Sequence, residues 1–333
     1  MREWVLVSPQ RTERPWSGKV EKIAETEMPR YDPDCYLCPG NKRAGGKPNP
    51  RYEKTFAFDN DFPALVDAPF TGKSMGSEAL LTAEPERGIS RVGCFSPRHD
   101  VTLSRMTAEE LAGVVELWID ETHSLEKSPW VRWVQIFENR GQLMGASNPH
   151  PHCQIWASGS LPNVPQRELG SFGEYQKTKQ GCLLCDYVRL EMERNERIVC
   201  ENGGFVALVP FWAVWPFETM ILSRRHVAAL VDITPEEKIQ FGEVLKHLTT
   251  RYDNLFETSF PYTLGLHSRP SGPGDHRQWH FHTHIAPPLL RSAAVQKFMV
   301  GYELFATPQR DISPEEAAAR LAALPEIHYL EQM

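Results

Sequence analysis

The 333-residue sequence has no surplus of basic residues: 36 Lys and Arg stand against 43 Asp and Glu, a formal net charge of −7. Proteins that coat nucleic acid display a strong positive surplus, so no polynucleotide partner is expected. Nor is there an uninterrupted apolar run of about 18 residues, the minimum for a membrane span, so no membrane partner is expected. The opening MREWVLVSPQR lacks the apolar stretch of a secretory leader. The seven cysteines are odd in number, which does not suit a secreted disulfide framework. These absences point to a cytoplasmic globular chain. Its length and 41% apolar content suffice for one large or two ordinary domains.

Four of the cysteines form two C-x-x-C pairs, Cys35/Cys38 and Cys182/Cys185, a pattern of metal or redox chemistry. Cys94, Cys153 and Cys200 lie in apolar, strand-like surroundings and read as buried inert thiols. Nine Trp and 27 Pro favour a mixed, loop-rich fold over a helical bundle. Strand-like runs are Trp4–Ser8, Arg91–Ser96, Val131–Glu138, His152–Ala157, Phe205–Pro210, Thr219–Ser223, Tyr262–His267 and Trp279–Ala286. Capping signatures at Thr107–Glu110, Thr234–Glu237 and Ser313–Glu316 announce three helices, the last two with proline at the first helical position.

Two stretches align: SPRHDVTLSRMTAEELAGVVELW from Ser96 and SRRHVAALVDITPEEKIQFGEVL from Ser223. His99 and His226 each precede the capping threonine by eight residues. Each has a C-x-x-C upstream and an H-x-H strand downstream, His150/His152 and His282/His284. An internal duplication accounts for this order. The halves are expected at 1–165 and 166–333, joined through residues 160–180, which read as linker plus irregular helix.

Cys35 and Cys38 supply two thiolates on a tight turn, and two histidines must complete a zinc-type site. Of His99, His123, His150 and His152, His123 reads as a surface position on a helix, leaving His99 and one of the H-x-H pair. On a strand those two point to one face, so one can hold metal while the other works beside it. The preceding segment, FENRGQLMGASNPHPHCQIWA, combines a loop of small residues suited to close approach of a phosphate with a histidine clamped between Pro149 and Pro151. That combination reads as a nucleophile or general acid–base group.

The strings SNPHPHCQIW, CYLCPGN, FDNDFPAL, FENRG, PFWAVWPFET, RYDNLF and KFMVGYE resemble those of galactose-1-phosphate uridylyltransferases, a branch of the histidine-triad superfamily. The resemblance implies an α+β fold: a duplicated histidine-triad-like unit, mainly antiparallel sheet with helices packed on it. It implies a ping-pong exchange between UDP-glucose and galactose 1-phosphate through a uridylylated histidine, in a homodimer with shared active sites. On this resemblance His152 is the nucleophile and Gln154 the amide that steadies phosphoryl oxygens. Cys35, Cys38, His99 and His150 match zinc ligands. Asn60 and Asp61 match ribose and uracil contacts, and Asn139 and Ser147 phosphate contacts. Arg11, Arg14, Lys297, Phe298, Met299, Val300, Tyr302, Glu303 and Gln309 match further sugar-nucleotide and sugar-phosphate contacts, several of them reached from the second subunit.

A second metal, zinc or iron, has two candidate ligand sets. The repeat predicts Cys182, Cys185, His226 and His282, whereas the resemblance implies Glu168, His267, His282 and His284. Both sets need His282, so they exclude one another, and the thiolates favour the first. His284, taken as the counterpart of His152, is followed by Ile285-Ala286 and is expected to carry no nucleophile. The rival functions are a nucleotide hydrolase or an ADP-glucose phosphorylase of the same superfamily, and a zinc-dependent binding scaffold.

Overall fold

The computed structural model describes residues 3–8, 28–68, 80–274 and 276–332. In chain order its elements are β1 (Leu6–Val7), β2 (Phe56–Asp59), β3 (Gly88–Cys94), α1 (Ala108–Glu126), β4 (Trp133–Arg140), β5 (His152–Ser158), α2 (Asn163–Lys179) and α3 (Leu183–Arg194), then β6 (Ile198–Glu201), β7 (Phe205–Leu208), β8 (Thr219–Ser223), α4 (Pro235–Phe256), β9 (Tyr262–His267), β10 (His282–Ala286), β11 (Leu289–Ser292), β12 (Val295–Gln296), α5 (Tyr302–Phe305), β13 (Gln309–Arg310) and α6 (Pro314–Ala322). Among the described residues no helix is long and apolar enough to cross a membrane.

The capping chemistry forms as the sequence predicts. The Thr107 hydroxyl accepts from the Glu110 N–H at 3.2 Å, and the Glu110 carboxylate accepts from the Thr107 N–H at 2.8 Å. Thr234 and Glu237 repeat both bonds at the same distances, and Ser313 caps α6 at 3.1 Å. Each reciprocal pair satisfies donors that the first helical turn otherwise leaves orphaned.

Among the described residues nine strands form one sheet in the order β2-β3-β5-β4-β9-β10-β8-β7-β6, antiparallel throughout. The order reads the same outward from its middle: β4 and β9 meet at the centre, flanked by β5 and β10, then by β3 and β8. The repeat is therefore a structural duplication whose copies pair edge to edge, with Phe137 opposite Gly265 at the seam.

Strand alternation sends the two sets of side chains to different layers. On one face Val134, Ile136, Ile155, Ala157, Ile221, Leu264 and Ile285 pack under α1 and α4, which contribute Val114, Trp118, Phe241, Leu245 and Tyr252. On the other face α2 and α3 cover the second copy and the start of β4, burying Phe172, Leu184 and Val188 against Trp133, Met220, Leu222 and Trp279. Among the described residues no such helical lid covers the rest of that face of the first copy, where His152 and Gln154 stand.

Two parts of the fold differ from expectation. The supposed linker holds α2, a regular helix of 17 residues. Pro165 sits in its first turn, where no intrahelical donor is needed, and Gly170 and Gly173 have open space around them. Phe172 anchors the helix edge-on against Trp279, with centroids 5.2 Å apart. The two sheet edges, β2 and β6, are four-residue strands, too short for alternation to announce.

Candidate active site and metal clusters

His152 opens β5, opposite Cys94 of β3. Its Nδ1 lies 2.7 Å from the His150 carbonyl oxygen. A carbonyl can only accept, so Nδ1 carries the proton and Nε2 keeps its lone pair. Burial holds the pKa of His152 below the ordinary histidine value, and the ring is neutral at neutral pH. On the same face, Gln154 Oε1 accepts from the Trp156 indole at 3.0 Å, which leaves the amide NH2 as the free donor. The Trp156 ring is itself held edge-on by Phe137, with centroids 5.3 Å apart.

His152 and Gln154 line a cavity of about 180 Å³ with Tyr36, Phe58, Asn60, Asp61, Phe62 and Ser147. Ser147 reaches it because the loop ahead of β5 turns back through Gly141 and Gly145, both at positive φ (83° and 78°), a conformation that favours glycine. Asn60 is held by an Asx turn in which its Oδ1 accepts from the Phe62 N–H at 2.9 Å. Asp61 accepts from the Gly45 N–H at 3.1 Å and stands 3.6 Å from the Arg43 guanidinium. Asn139, on the same face of β4, accepts from the Thr263 hydroxyl at 2.8 Å and does not line the cavity.

A second, larger cavity of about 510 Å³ is lined by Lys297, Phe298, Val300, Tyr302, Glu303 and Gln309, together with Leu6 and Ser8 of the N-terminal strand. Met299 lies between two of these residues and is half-buried. The Lys297 ammonium contacts the Glu303 carboxylate and the Gln309 carbonyl. None of these residues lines the His152 cavity. Arg11 and Arg14 lie outside the described residues.

Cys35, Cys38, His99 and His150 converge, all buried, with donor atoms within 4.8 Å of one another. Cys38 Sγ is 3.6 Å from Nδ1 of both histidines. His150 Nε2 lies 2.9 Å from the Ser96 carbonyl, which holds the proton on Nε2 and leaves Nδ1 free to ligate. Burial pushes the Cys38 thiol up to about 12.

The second copy departs from the expected ligands. His280, not His282, stands beside Cys182, Cys185 and His226, while His282 joins Glu168, His267 and His284 in a separate cluster; donor atoms in each set lie within 4.8 Å. The two sets share no residue and do not compete. The cause is register: HPHCQ aligns with HFHTH, so His280 corresponds to His150, His282 to His152, and His284 to Gln154 rather than to His152. His282 Nδ1 accordingly lies 2.7 Å from the His280 carbonyl, the same contact that His152 makes. Reading the triple H-x-H-x-H from its first histidine was the signal needed.

In the mixed cluster Glu168 Oε2 accepts from His267 Nδ1 at 2.8 Å, and Oε1 lies 3.3 Å from His284 Nε2. Burial acts to raise the Glu168 pKa, and the His267 hydrogen bond together with the nearby His282 and His284 imidazoles outweighs it and holds the carboxyl well below its usual range. His284 Nε2 is buried without a hydrogen-bond partner, the mark of a donor atom aimed at an ion.

Residues 1–162 match the N-terminal domain of galactose-1-phosphate uridyl transferase and residues 168–333 its C-terminal domain. The chain is 50% identical over 331 residues to galactose-1-phosphate uridylyltransferase of Haemophilus influenzae, covering 99% of this chain and 94% of that protein. It is 51% identical to the Rattus norvegicus enzyme of the same name, covering 98% and 86%. A solved uridylyltransferase superposes with a TM-score of 0.78 at 28% identity, covering 89% of this chain and 93% of that one. An ADP-glucose phosphorylase from Arabidopsis thaliana shares the fold with a TM-score of 0.74 at 21% identity, covering 97% and 96%. With both domain families matched in order along the same nine-stranded duplication, the chain belongs to the galactose-1-phosphate uridyl transferase family of nucleotidyltransferases.

Proposed function

We propose that the chain exchanges a uridylyl group between UDP-glucose and galactose 1-phosphate, with His152 as its covalent carrier. The observation that carries this reading is the His152 Nδ1–H bond to the His150 carbonyl, which leaves a neutral Nε2 at a cavity also lined by Gln154 and Ser147. Nε2 attacks the α-phosphorus of UDP-glucose; the N–P bond forms, the bond to the sugar-phosphate oxygen breaks, and glucose 1-phosphate leaves. The ring becomes cationic as it binds phosphorus, and the carbonyl facing Nδ1–H stabilises that charge without taking the proton. Galactose 1-phosphate then attacks the same phosphorus and restores the neutral ring.

Gln154 donates to an equatorial phosphoryl oxygen with no charge of its own, so it steadies the pentacoordinate centre without trapping the intermediate. Its aim depends on Trp156. Trp156→Phe, which keeps the ring and removes the indole donor, is expected to lower kcat about fivefold, the value of one hydrogen bond, with KM and melting temperature nearly unchanged. Steady-state kinetics beside a thermal melt check this.

Cys35, Cys38, His99 and His150 suit zinc, which would supply a cross-link rather than a reacting group, since a neutral imidazole needs no activated water. Glu168, His267, His282 and His284 suit a second ion, zinc or iron.

Phe298, Val300, Leu304 and Phe305 are 61% to 85% exposed beside the larger cavity. Such a patch supports a homodimer in which the partner's Lys297–Gln309 segment completes the His152 cavity. Mixing His152→Ala with Glu303→Ala chains is then expected to restore about a quarter of parental activity, because half the dimers are mixed and each mixed dimer keeps one intact site. No recovery after subunit exchange would place both groups in one chain.

The direct assay incubates the protein with UDP-glucose and galactose 1-phosphate and follows glucose 1-phosphate release. ADP-glucose with inorganic phosphate serves as the competing arm, and faster turnover there overturns the uridylyl reading.

A further inference from the structure

The second copy carries a set of soft donors that uridylyl transfer does not use. Cys182 is the N-cap of α3, where its Sγ accepts from the Cys185 N–H at 3.5 Å. That turn sets two sulfurs side by side. His226 comes from the loop after β8 and His280 from the residues just ahead of β10. Cys185 Sγ lies 3.3 Å from Nδ1 of both histidines, and Cys182 Sγ lies 3.7 Å from Nδ1 of His280.

Tetrahedral zinc with sulfur at 2.3 Å and nitrogen at 2.0 Å requires sulfur–nitrogen separations of about 3.5 Å. The observed spacings straddle that value, so an ion fits with shifts of a few tenths of an ångström. His280 Nε2 lies 2.9 Å from the Ser223 carbonyl, which holds the proton there and leaves the Nδ1 lone pair facing the sulfurs. The first copy builds the same contact between His150 and Ser96. A reducible cysteine pair alone would call for neither the two convergent imidazoles nor the fixed tautomer.

We propose that Cys182, Cys185, His226 and His280 form a second thiolate–imidazole metal site for a zinc-class divalent ion, occupied at the same time as the Glu168 cluster, so that each chain holds three ions. The site ties α3 to the β8–α4 loop and to β10, and through the α2–α3 pair it steadies the helix that carries Glu168. It differs from the first-copy site in access. His226 is exposed and both cysteines are half-buried, whereas all four donors of the Cys35 set are buried. The ion here therefore exchanges first.

The test is metal counting on the full chain. Elemental analysis of the protein, purified under reductant with zinc supplied, is expected to find three ions per chain, and a chelator with a colorimetric zinc indicator should release the first equivalent in a separate fast phase. Cys182→Ser/Cys185→Ser should hold one ion fewer and lose that phase. Cobalt-loaded His280→Gln should lose about half of the thiolate-to-metal absorption of the parent, while His282→Gln keeps all of it. Should the double variant fold poorly, the parental count and the cobalt spectra of the single variants decide alone. A parental count of two with no fast phase, or equal cobalt spectra for His280→Gln and parent, overturns the site. So does a Cys182–Cys185 disulfide in protein kept under reductant.

Discussion

His152→Ala is expected to lower kcat by about 10⁴-fold or more, the scale of losing a covalent nucleophile. It should also abolish retention of label when the protein is incubated with UDP-glucose labelled in the uridine. The fold should persist, because the ring lies on the side of the sheet away from α1 and α4 and leaves their core untouched. Circular dichroism and melting temperature should match the parent. With one carrier serving both half-reactions, initial-rate plots for the parent should be parallel lines. Parental activity in the variant, or lines that intersect, would show that both substrates meet in a ternary complex instead.

Cys35→Ser is expected to remove one ion per chain and to destabilise the first copy by about 4 kcal/mol or more, since binding of a structural ion is coupled to folding. In a chain of this size that amounts to a drop in Tm of about 6 °C or more. Activity should fall with it, and the route is geometric. The ion would hold His150 through Nδ1, Ser96 holds its Nε2, and the His150 carbonyl in turn orients His152. His99→Ala should behave alike. A Cys35→Ser/His99→Ala chain that retained its full metal content would refute the ligand set.

What could be read in advance follows the range of the forces involved. Helix starts were legible because a capping box is settled within four residues, as at Thr107 and Thr234. Long strands were legible through alternation, and HPHCQ signalled two neighbouring histidines, of which His150 joins the Cys35 cluster and His152 lines the cavity. The α2 helix was obscured by Pro165, Gly170 and Gly173, whose cost is offset by Phe172 packing on Trp279, more than a hundred residues away in the chain. His280 is hard to single out because it opens a triple H-x-H-x-H, in which a register two residues along keeps every side chain on the same face. Tyr36, Phe58 and Phe62 join the cavity only through a loop whose path is set by contacts such as Cys38 with His150, 112 positions apart. Trp156 was visible two residues beyond Gln154, but its role depended on a rotamer.

The central pairing of β4 with β9 runs from Ile136 opposite Leu266 to Arg140 opposite Tyr262. Beside it, the buried Arg140 guanidinium is 2.9 Å from Asp253 of α4, whose carboxylate has no exposure at all. Separating the copies would strip the hydrogen-bond partners from both central strands and leave an uncompensated charge inside each. The connection between β5 and α2 is thus a joint in the chain but not in the melting unit: heat should dissolve both copies in one cooperative step, and a protease that nicks there should yield two fragments that remain associated and active.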